Sequence, residues 1–412
     1  MIRIGVHSLR LVVPAFAAVT FWAAGALAWV DLEQRDPGAG YHPDGIHILD
    51  GSYVMMVNQL QMNITNHGLI GSQYTETYPY SRAPSGQWPA GSGIEYLWSG
   101  GLWIGGIVHE DKRVSTGQYE RELRPGLDIW STIYEARNGE VVRPPGLVGT
   151  SGNRIPHPDA DDDGDGRADE ERLNGRDDDG DGRIEEDFGQ IGEQMLVCEM
   201  YDNTGLASEL YPDHEPLDVR VVQTALAFDA PDYDDFVVLD YEVTNIGTTD
   251  IEDPYLGFFA DCDIGPRGVG GTGMNDATGF FRGVVRSAND NWANIHVGYM
   301  HDTGEGKAPG WFGVVGLGGT RFSRYRFFKG NRAFEAGGLP AIDDDRYESL
   351  SKTPLVNYSD GEIPGDYSFL MSRSAGQVLP VGGTARLTMA LVAGGSLEEL
   401  IENCANADVV LA

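Results

Sequence analysis

Hydrophobic and polar residues alternate along several segments in the second half of the chain. The clearest case is residues 236–245, where Val237, Leu239, Tyr241 and Val243 lie on one face and the polar residues at 240, 242 and 244 lie on the other. Because successive side chains of a strand point to opposite faces, this pattern predicts a half-buried antiparallel strand. The same reasoning predicts strands at residues 219–228, 255–260, 279–286, 311–317, 367–371 and 384–393. Turn-forming residues at 245–250 predict that 255–260 returns beside 236–245.

Two apolar runs in the first half of the chain predict a hairpin. Residues 94–98 and 102–108 are rich in aromatic and branched side chains, and Ser99-Gly100-Gly101 lies between them. Such side chains suit a pleated, partly buried surface, and a short glycine-containing connection suits a tight turn.

Helical periodicity is confined to the end of the chain. Ser396 and Glu399 form a capping box, and Leu397, Leu400 and Ile401 follow at helical spacing. Elsewhere, 56 glycines and 21 prolines favour turns over helices. We therefore expect a mainly β protein, built of antiparallel β-sandwich regions and ending in one short helix.

The N-terminus predicts export. An apolar run from Leu11 to Ala28 follows Arg3 and Arg10 and ends in Ala26-Leu27-Ala28, the small residues expected at a cleavage site. This pattern predicts a signal peptide at residues 1–28 and a secreted or cell-surface protein. The alternative is an uncleaved membrane anchor, because about 18 apolar residues nearly span a bilayer.

Negative charge is concentrated in one segment. The chain has 63 acidic and 29 basic residues, a net charge of −34, which opposes binding to the phosphate backbone of nucleic acids. Fifteen acidic and four basic residues lie between Asp159 and Asp187. We therefore divide the chain after the signal peptide into an N-terminal β-rich region at 29–155, an acidic region at 156–190 and a C-terminal β-sandwich region at 191–412.

The acidic region contains a repeat with a sixteen-residue period. Aspartates at alternate positions are followed by glycine in both copies, as D-x-D-x-D-G at 161–166 and at 177–182. A chain that wraps around a calcium ion presents carboxylates from alternate positions, and the glycine permits the turn that follows. The predicted calcium ligands are Asp161, Asp163, Asp165, Arg167, Asp169 and Glu170, then Asp177, Asp179, Asp181, Arg183, Glu185 and Glu186, with both arginines contributing backbone carbonyl groups.

The repeat resembles EF-hand-like loops, and more closely the acidic repeats of dockerin and thrombospondin type 3 modules. This resemblance implies calcium sites along a chain with little secondary structure. The sequence departs from the pattern at the twelfth position, where an acidic ligand is expected and Arg172 and Phe188 stand. Acidic residues come earlier, as Glu170-Glu171 and Glu186-Asp187, so the last ligand comes from a compacted loop or from the other repeat.

A flexible acidic linker that binds no specific ion is the alternative interpretation of this region. It explains the charge but not the repeated position of the glycines. Unit charges about 4 Å apart repel by about 1 kcal/mol even in bulk water, so clustered aspartates favour a bound cation. Our hypothesis is a connector between two β regions that calcium makes rigid.

No common catalytic motif appears in the sequence, which has no G-x-S-x-G, no H-E-x-x-H and no P-loop. For His109-Glu110-Asp111 and Asp261-Cys262-Asp263 we favour solvated loops over metal or acid–base sites. Asp343-Asp344-Asp345 is predicted as an acidic loop that either faces water or binds calcium. The three cysteines, Cys198, Cys262 and Cys404, exclude a disulfide framework and are expected to be buried apolar residues.

Two further resemblances rest on short segments of the chain. Residues 240–250 resemble the strand–turn–strand unit of bacterial extracellular immunoglobulin-like repeats. Residues 91–98, the acidic repeat and residues 391–398 together resemble large secreted proteins of environmental bacteria, a family that offers no catalytic residues. These resemblances imply an immunoglobulin-like β-sandwich with a calcium-binding loop insertion.

We therefore expect a secreted calcium-binding protein with a structural, adhesive or surface-associated role and no evident catalytic site. Its expected partners are calcium ions and an extracellular glycan or another surface protein. The alternative is a carbohydrate-active protein, either a binding module that uses Trp88, Trp98 or Trp103, or a hydrolase with a carboxylate pair. For Trp98 and Trp103 we favour packing in a β-sandwich core over sugar stacking.

Overall fold

The computed structural model describes residues 51–74, 83–126, 132–143, 161, 166–168, 171–185, 187–267, 269, 273–304, 308–330, 332–352 and 363–411. The signal peptide predicted at residues 1–28 lies outside these ranges. In the part of the chain that they cover, none of the helices combines the length and the apolar character needed to cross a membrane.

Strands dominate the described chain. The first nine are β1 (Ser52–Met55), β2 (Gln61–Thr65), β3 (Leu69–Gly71), β4 (Ser85–Gln87), β5 (Ile94–Glu95), β6 (Ser99–Val108), β7 (Asp111–Thr116), β8 (Tyr134–Arg137) and β9 (Glu140–Arg143). The others are β10 (Gln194–Tyr201), β11 (Val219–Ala227), β12 (Phe236–Asn245), β13 (Ile251–Asp261), β14 (Gly265–Pro266), β15 (Asp276–Arg286), β16 (Trp292–Asp302), β17 (Trp311–Gly316), β18 (Arg324–Lys329), β19 (Tyr367–Ser374), β20 (Val378–Leu379) and β21 (Thr384–Gly394). The helices are α1 (Gly205–Leu210), α2 (Asp343–Ser351) and α3 (Leu397–Val410).

The strands form two antiparallel sheets. The twelve-stranded sheet has the order β14-β5-β4-β2-β3-β6-β13-β19-β18, with β1 beside β2, β7 beside β6 and β20 beside β13. The nine-stranded sheet has the order β15-β16-β17-β21-β12-β11-β10-β8-β9. Each sheet contains strands from before residue 156 and from after residue 190. The two regions of the sequence are therefore interleaved in both sheets.

The main hydrophobic core lies between the two sheets. It joins the inward residues of β12, such as Leu239 and Tyr241, to residues of the other sheet such as Ile104, Phe258 and Phe369. Val237, Leu239, Tyr241 and Val243 all belong to this core. The predicted alternation in residues 236–245 is therefore confirmed, as is the mainly β, antiparallel β-sandwich architecture.

Helices cover part of both outer faces. Leu400 and Cys404 of α3 pack on the nine-stranded sheet, and Tyr347 and Leu350 of α2 pack on the twelve-stranded sheet. The predicted C-terminal helix is confirmed, because Ser396 Oγ accepts a hydrogen bond from the N–H of Glu399 at its start. The prediction of Asp343-Asp344-Asp345 as a loop is wrong. These residues form the first turn of α2, where the helix dipole stabilises carboxylates.

The predicted hairpin of residues 94–98 and 102–108 is wrong. Ser99, Gly100 and Gly101 lie inside β6, and the hairpin partner of β6 is β7. Glycine is required here by close packing rather than by a turn: a Cβ at Gly101 would lie 2.5 Å from the backbone nitrogen of Gln118. The segment 255–260 does form a strand, but β13 pairs with β6 and β19 in the twelve-stranded sheet and not with β12.

Candidate metal centre

The acidic segment, which we define as residues 171–185 with 187 and 188, packs on the outer face of the nine-stranded sheet. Leu173 and Phe188 are buried there in a cluster that includes Met195 and Leu226. Glu171 and Phe188 form an isolated parallel β-bridge that closes the segment into a loop. Two apolar side chains therefore hold a strongly acidic loop on the sheet.

Three carboxylates converge in this loop. Glu171, Asp177 and Asp179 each place one carboxylate oxygen within 4.8 Å of the others. Glu171 is buried, Asp179 is half-buried and Asp177 is exposed, so the group lies at the surface with one side open to solvent. A set of hard oxygen donors at this separation suits calcium better than a softer transition metal.

The two repeats share the same local structure where both are described. Asp177 Oδ2 accepts a hydrogen bond from the N–H of Gly182 at 3.0 Å, and Asp161 Oδ2 accepts one from the N–H of Gly166 at 3.0 Å. Gly182 and Gly166 have φ angles of +96° and +98°, which side chains rarely adopt. At these two pairs of positions, Asp161 with Asp177 and Gly166 with Gly182, the sequence repeat is therefore also a repeat of local structure.

Backbone N–H groups hold the Glu171 carboxylate in place. Its Oε1 accepts hydrogen bonds from Asp178 N at 2.7 Å and Asp179 N at 3.2 Å, and its Oε2 accepts one from Glu185 N at 3.1 Å. Burial raises the pKa of Glu171 despite these bonds. The first turn of the second repeat therefore wraps around a carboxylate that comes from the end of the first repeat.

Glu185 adds a buried carboxylate beside this group. Its Oε1 accepts hydrogen bonds from the N–H groups of Asn174 and Gly175, whereas its buried Oε2 has no hydrogen-bond partner among the residues that the structure describes. Burial, with the nearby charges of Glu171 and Asp178, raises the pKa of Glu185 to about 8. A buried carboxylate with an unpartnered oxygen fits a region that holds a cation.

The other predicted ligands are spread around the loop. Asp181 and Arg183 are exposed, and Asp161 and Arg167 of the first repeat are also exposed. The guanidinium group of Arg167 lies 3.7 Å from Asp179 Oδ2, so its side chain contacts the carboxylate group in this structure. Asp163, Asp165, Asp169, Glu170 and Glu186 lie outside the described residues.

Glu171 is the member of this group that the predicted ligand set omits. Its position is the eleventh of the first repeat, one residue before the expected acidic ligand. The signal present in the sequence was the early placement of acidic residues in both repeats. That signal does not say which repeat a displaced carboxylate contacts.

A cavity of about 790 Å³ lies between the acidic segment and the outer face of the nine-stranded sheet. Glu171 contributes to its wall, and Val222 and Leu226 contribute apolar surface. Asp240 and Arg386 also line it and form an ion pair of 2.7 Å. The acidic segment is therefore one wall of a cavity with mixed apolar and charged lining.

The structure also shows the surroundings of the other candidate residues that the sequence suggested. His109 and Glu110 form an exposed turn, as expected for a solvated loop. Trp103 is fully buried and stacks on Phe259 at 5.3 Å between ring centroids, so it is a core residue and not a sugar platform. Cys198, Cys262 and Cys404 are free and buried, as predicted.

The prediction of a solvated loop at Asp261-Cys262-Asp263 is wrong. Cys262 is fully buried, and Asp261 and Asp263 are half-buried at the end of β13. The burial arises because β13 is a central strand of the twelve-stranded sheet and ends against residues of the other sheet.

Comparisons with known proteins give weak similarities only. No protein-family model matches the chain, and no curated protein matches it. Among solved structures, HI1317 has a TM-score of 0.22 and 9% identity, covering 50% of this chain and 62% of that chain. The lysyl oxidase PPLO of Pichia pastoris has a TM-score of 0.20 and 11% identity, covering 49% of this chain and 38% of that chain. This chain spans less than two thirds of either protein, and at these TM-scores neither similarity identifies a function.

Proposed function

We propose that this protein is an exported calcium-binding protein with a structural, adhesive or surface-associated role and no evident catalytic site. The observation that carries the proposal is the convergence of Glu171, Asp177 and Asp179, with their ligand atoms within 4.8 Å of one another. Carboxylates this close repel one another, and a divalent cation converts that repulsion into attraction. The N-terminal sequence supports export, and extracellular calcium is concentrated enough to fill even a weak site.

The packing of the acidic segment supports a structural role for the ion. Leu173 and Phe188 attach the segment to the nine-stranded sheet, but between them the loop has exposed glycines and aspartates and few apolar contacts. An ion that binds Glu171, Asp177 and Asp179 joins the start of this loop to its middle. Calcium therefore shapes one wall of the adjoining cavity.

Two of the carboxylates that line the cavity are held by arginine side chains. Asp240 accepts hydrogen bonds from Arg386 Nε at 2.8 Å and from Thr388 Oγ1 at 2.6 Å, and Glu199 lies 3.3 Å from Arg176. These contacts support a structural role for both carboxylates.

Calorimetric titration of calcium into the chelated full-length protein tests the proposal. We expect saturable binding, with about two ions in the two repeats and a rise in melting temperature in calcium. The Asp177→Asn/Asp179→Asn variant should lose at least one of these ions. If no heat of binding and no change in melting temperature were observed, the acidic segment would be a charged linker that binds no calcium.

Asp178→Asn is the matched control for that titration. It removes one negative charge from the same loop, against two in the double variant, and Asp178 Oδ2 accepts hydrogen bonds from Arg172 N and Asn174 Nδ2, which an asparagine oxygen can also accept. Asp178 is not one of the three converging residues. We expect this variant to bind the same number of ions as the parent.

Carbohydrate binding is the second candidate function, and one observation favours it. Trp292 is 70% exposed in the β15–β16 hairpin, so one face of its ring is available for stacking on a sugar. A glycan array probed with the parent and with Trp292→Ala tests this candidate. Binding that depends on Trp292 supports it, and the absence of any bound glycan rejects it.

A further inference from the structure

The cavity beside the acidic segment is enclosed by the nine-stranded sheet and by elements on two sides of it. Its floor consists of outward residues of four adjacent strands, β10, β11, β12 and β21. The acidic segment forms one wall, and residues 317–320 with Asp408 and Leu411 near the end of α3 form the other. Its volume of about 790 Å³ lies within the range of small-molecule binding sites.

The floor changes from basic to apolar along β11. The outward residues of this strand are Arg220, Val222, Thr224 and Leu226, and all four line the cavity. At the Leu226 end, Met195 of β10 lies directly beside it and also lines the cavity. Because six residues of a strand span about 20 Å, the floor has a basic end and an apolar end separated by roughly that length.

The carboxylates that line the cavity already have partners within the protein. Four of them lie beside arginines: Glu199 by Arg176 at 3.3 Å, Asp240 by Arg386 at 2.7 Å, Asp408 by Arg321 at 2.9 Å and Glu242 by Arg172 at 3.8 Å. The carboxylates of Glu171 and Asp178 accept backbone hydrogen bonds inside the acidic segment. The negative charges of the lining are therefore engaged without a ligand.

Arg220 differs from the other arginines that line the cavity. In the part of the chain that the structure describes, it forms no ion pair, and its buried Nε has no hydrogen-bond partner. Its side chain is half-buried at the basic end of the floor. A guanidinium group in this position favours a carboxylate, because the two planar groups can form paired hydrogen bonds.

Apolar side chains face the cavity beyond Arg220. Val197 and Val222 on the floor and Ile191 at the acidic segment's side are only half-buried, so part of their apolar surface faces the cavity. An apolar chain lying on this floor would remove that surface from water, which favours binding. The lining therefore suits a molecule with one negatively charged end and an apolar body.

We propose that this cavity binds an amphipathic organic anion, a single-chain carboxylate of the fatty-acid type. Its carboxylate pairs with Arg220, and its chain runs along β11 towards Leu226. This inference goes beyond the proposed calcium-binding role and does not depend on the ion, because the floor and the wall at residues 317–320 belong to the β-sandwich and not to the acidic segment.

Calorimetric titration of the full-length protein with decanoate tests the inference, in calcium and again in chelator. The matched ligands are 1-decanol and decylamine, which have the same chain and a neutral or positive end. We expect one saturable site that binds decanoate at least tenfold more tightly than either matched ligand. A site in either buffer supports the inference, so a failure of calcium to bind leaves it intact. No decanoate binding, or equal affinities for the three ligands, would overturn it.

Arg220→Gln tests the charged end of the site. This variant should bind decanoate about tenfold more weakly than the parent and should bind 1-decanol equally well, because only the ion pair is lost. Arg282→Gln is the matched control, since Arg282 is exposed on β15 of the same sheet and does not line the cavity. Equal decanoate affinities in the two variants would show that Arg220 does not bind the carboxylate.

Thr224→Trp tests the position of the chain. Thr224 is half-buried in the middle of the floor, so an indole ring there would occupy the space of the ligand and weaken decanoate binding at least tenfold. Thr384→Trp, at an exposed position of β21 outside the cavity, should bind like the parent. Unchanged binding in a folded Thr224→Trp protein would place the ligand elsewhere. If thermal unfolding shows that Thr224→Trp does not fold, the comparison of Arg220→Gln with Arg282→Gln decides.

Discussion

Glu171 belongs to the first acidic repeat by sequence and to the second by position in space. Three backbone N–H groups of residues 178–185 bind its carboxylate, which brings it beside Asp177 and Asp179. The sequence predicts an acidic ligand earlier than the twelfth position, and it leaves open the loop from which that ligand comes. The spacing of acidic residues along the sequence shows that the segment suits an ion. Which of these carboxylates lie close together depends on how the loop folds back on itself.

Glu171→Gln should weaken calcium binding at the second repeat at least tenfold. An amide can still accept a backbone hydrogen bond, but it lacks the charge that calcium attracts, and a tenfold change corresponds to about 1.4 kcal/mol. Calorimetry on Glu171→Gln and Asp178→Asn side by side measures this. Equal affinities in the two variants would show that Glu171 is not a ligand.

His296 makes stability depend on pH. Its Nδ1 lies 2.7 Å from the carbonyl oxygen of Phe322, and within the described part of the chain its buried Nε2 has no hydrogen-bond partner. Burial, aided by the charges of Arg282 and Arg321, lowers the pKa of His296 below its ordinary value. The unfolded chain takes up a proton near pH 6.5, whereas the folded chain takes it up only at lower pH. This contribution is therefore fully present above about pH 6.5 and is lost as the pH falls through the folded pKa.

Urea unfolding at pH 7 and pH 5 tests this effect in His296→Asn. Asparagine can still donate to the carbonyl group of Phe322 and does not titrate, so the variant should lose less stability between the two pH values than the parent. His109→Asn, in an exposed turn, should behave like the parent. An unchanged pH dependence in His296→Asn would assign the effect to other groups.

At the scale of elements, β6 and β12 show what a sequence can and cannot predict. β12 is predicted within its true bounds because one face lies on the main core and the other has polar residues at 240, 242 and 244, although that other face begins with the buried residues Phe236 and Val238. The start of β6 is predicted as a turn because Gly100 and Gly101 resemble one, although Gly101 is needed for close packing against residues 117 and 118. α2 was missed because three successive aspartates indicate a loop, although they also suit the first turn of a helix. Local sequence patterns predict which face of a strand is buried. They do not predict which distant segments of the chain pack closely together.

Gly101→Ala should destabilise the protein by about 1 to 3 kcal/mol, because the new methyl group overpacks the sheet. It would lie 2.5 Å from Gln118 N and 2.7 Å from the carbonyl carbon of Gly117, and backbone atoms cannot turn aside as a flexible side chain can. Gly319→Ala is the control, because no other residue lies within 4 Å of its Cβ position. Chemical denaturation measures the free energy of unfolding of both variants. Equal values for the two would contradict the packing argument.

In the whole molecule, the main core and the acidic segment are separate. The core lies between the sheets, whereas the acidic segment lies outside the nine-stranded sheet and is attached through Leu173 and Phe188. The sandwich was predictable because strand alternation recurs along the chain. The pairing of β6 with β13 was not predictable, because the sequence of neither strand specifies the strand with which it pairs.

Trypsin should cut the chain faster near Arg167 and Arg183 in chelator than in calcium, by about tenfold or more, because proteolysis requires the loop to open. Far-ultraviolet circular dichroism should hardly change, since the sheets do not depend on the loop. Mass spectrometry of the products identifies the cut sites. Equal cleavage rates in both buffers would contradict the hypothesis that calcium makes the acidic segment rigid.

The interleaving of strands has a consequence for a chain that has been cut once. A break in the acidic segment separates β1–β9 from β10–β21, yet β13 lies between β6 and β19, and β8 pairs with β10. Neither fragment can complete a sheet alone. The nicked protein should therefore run as one particle in native chromatography and as two bands in a denaturing gel, and separately produced fragments should reconstitute the sandwich by complementation.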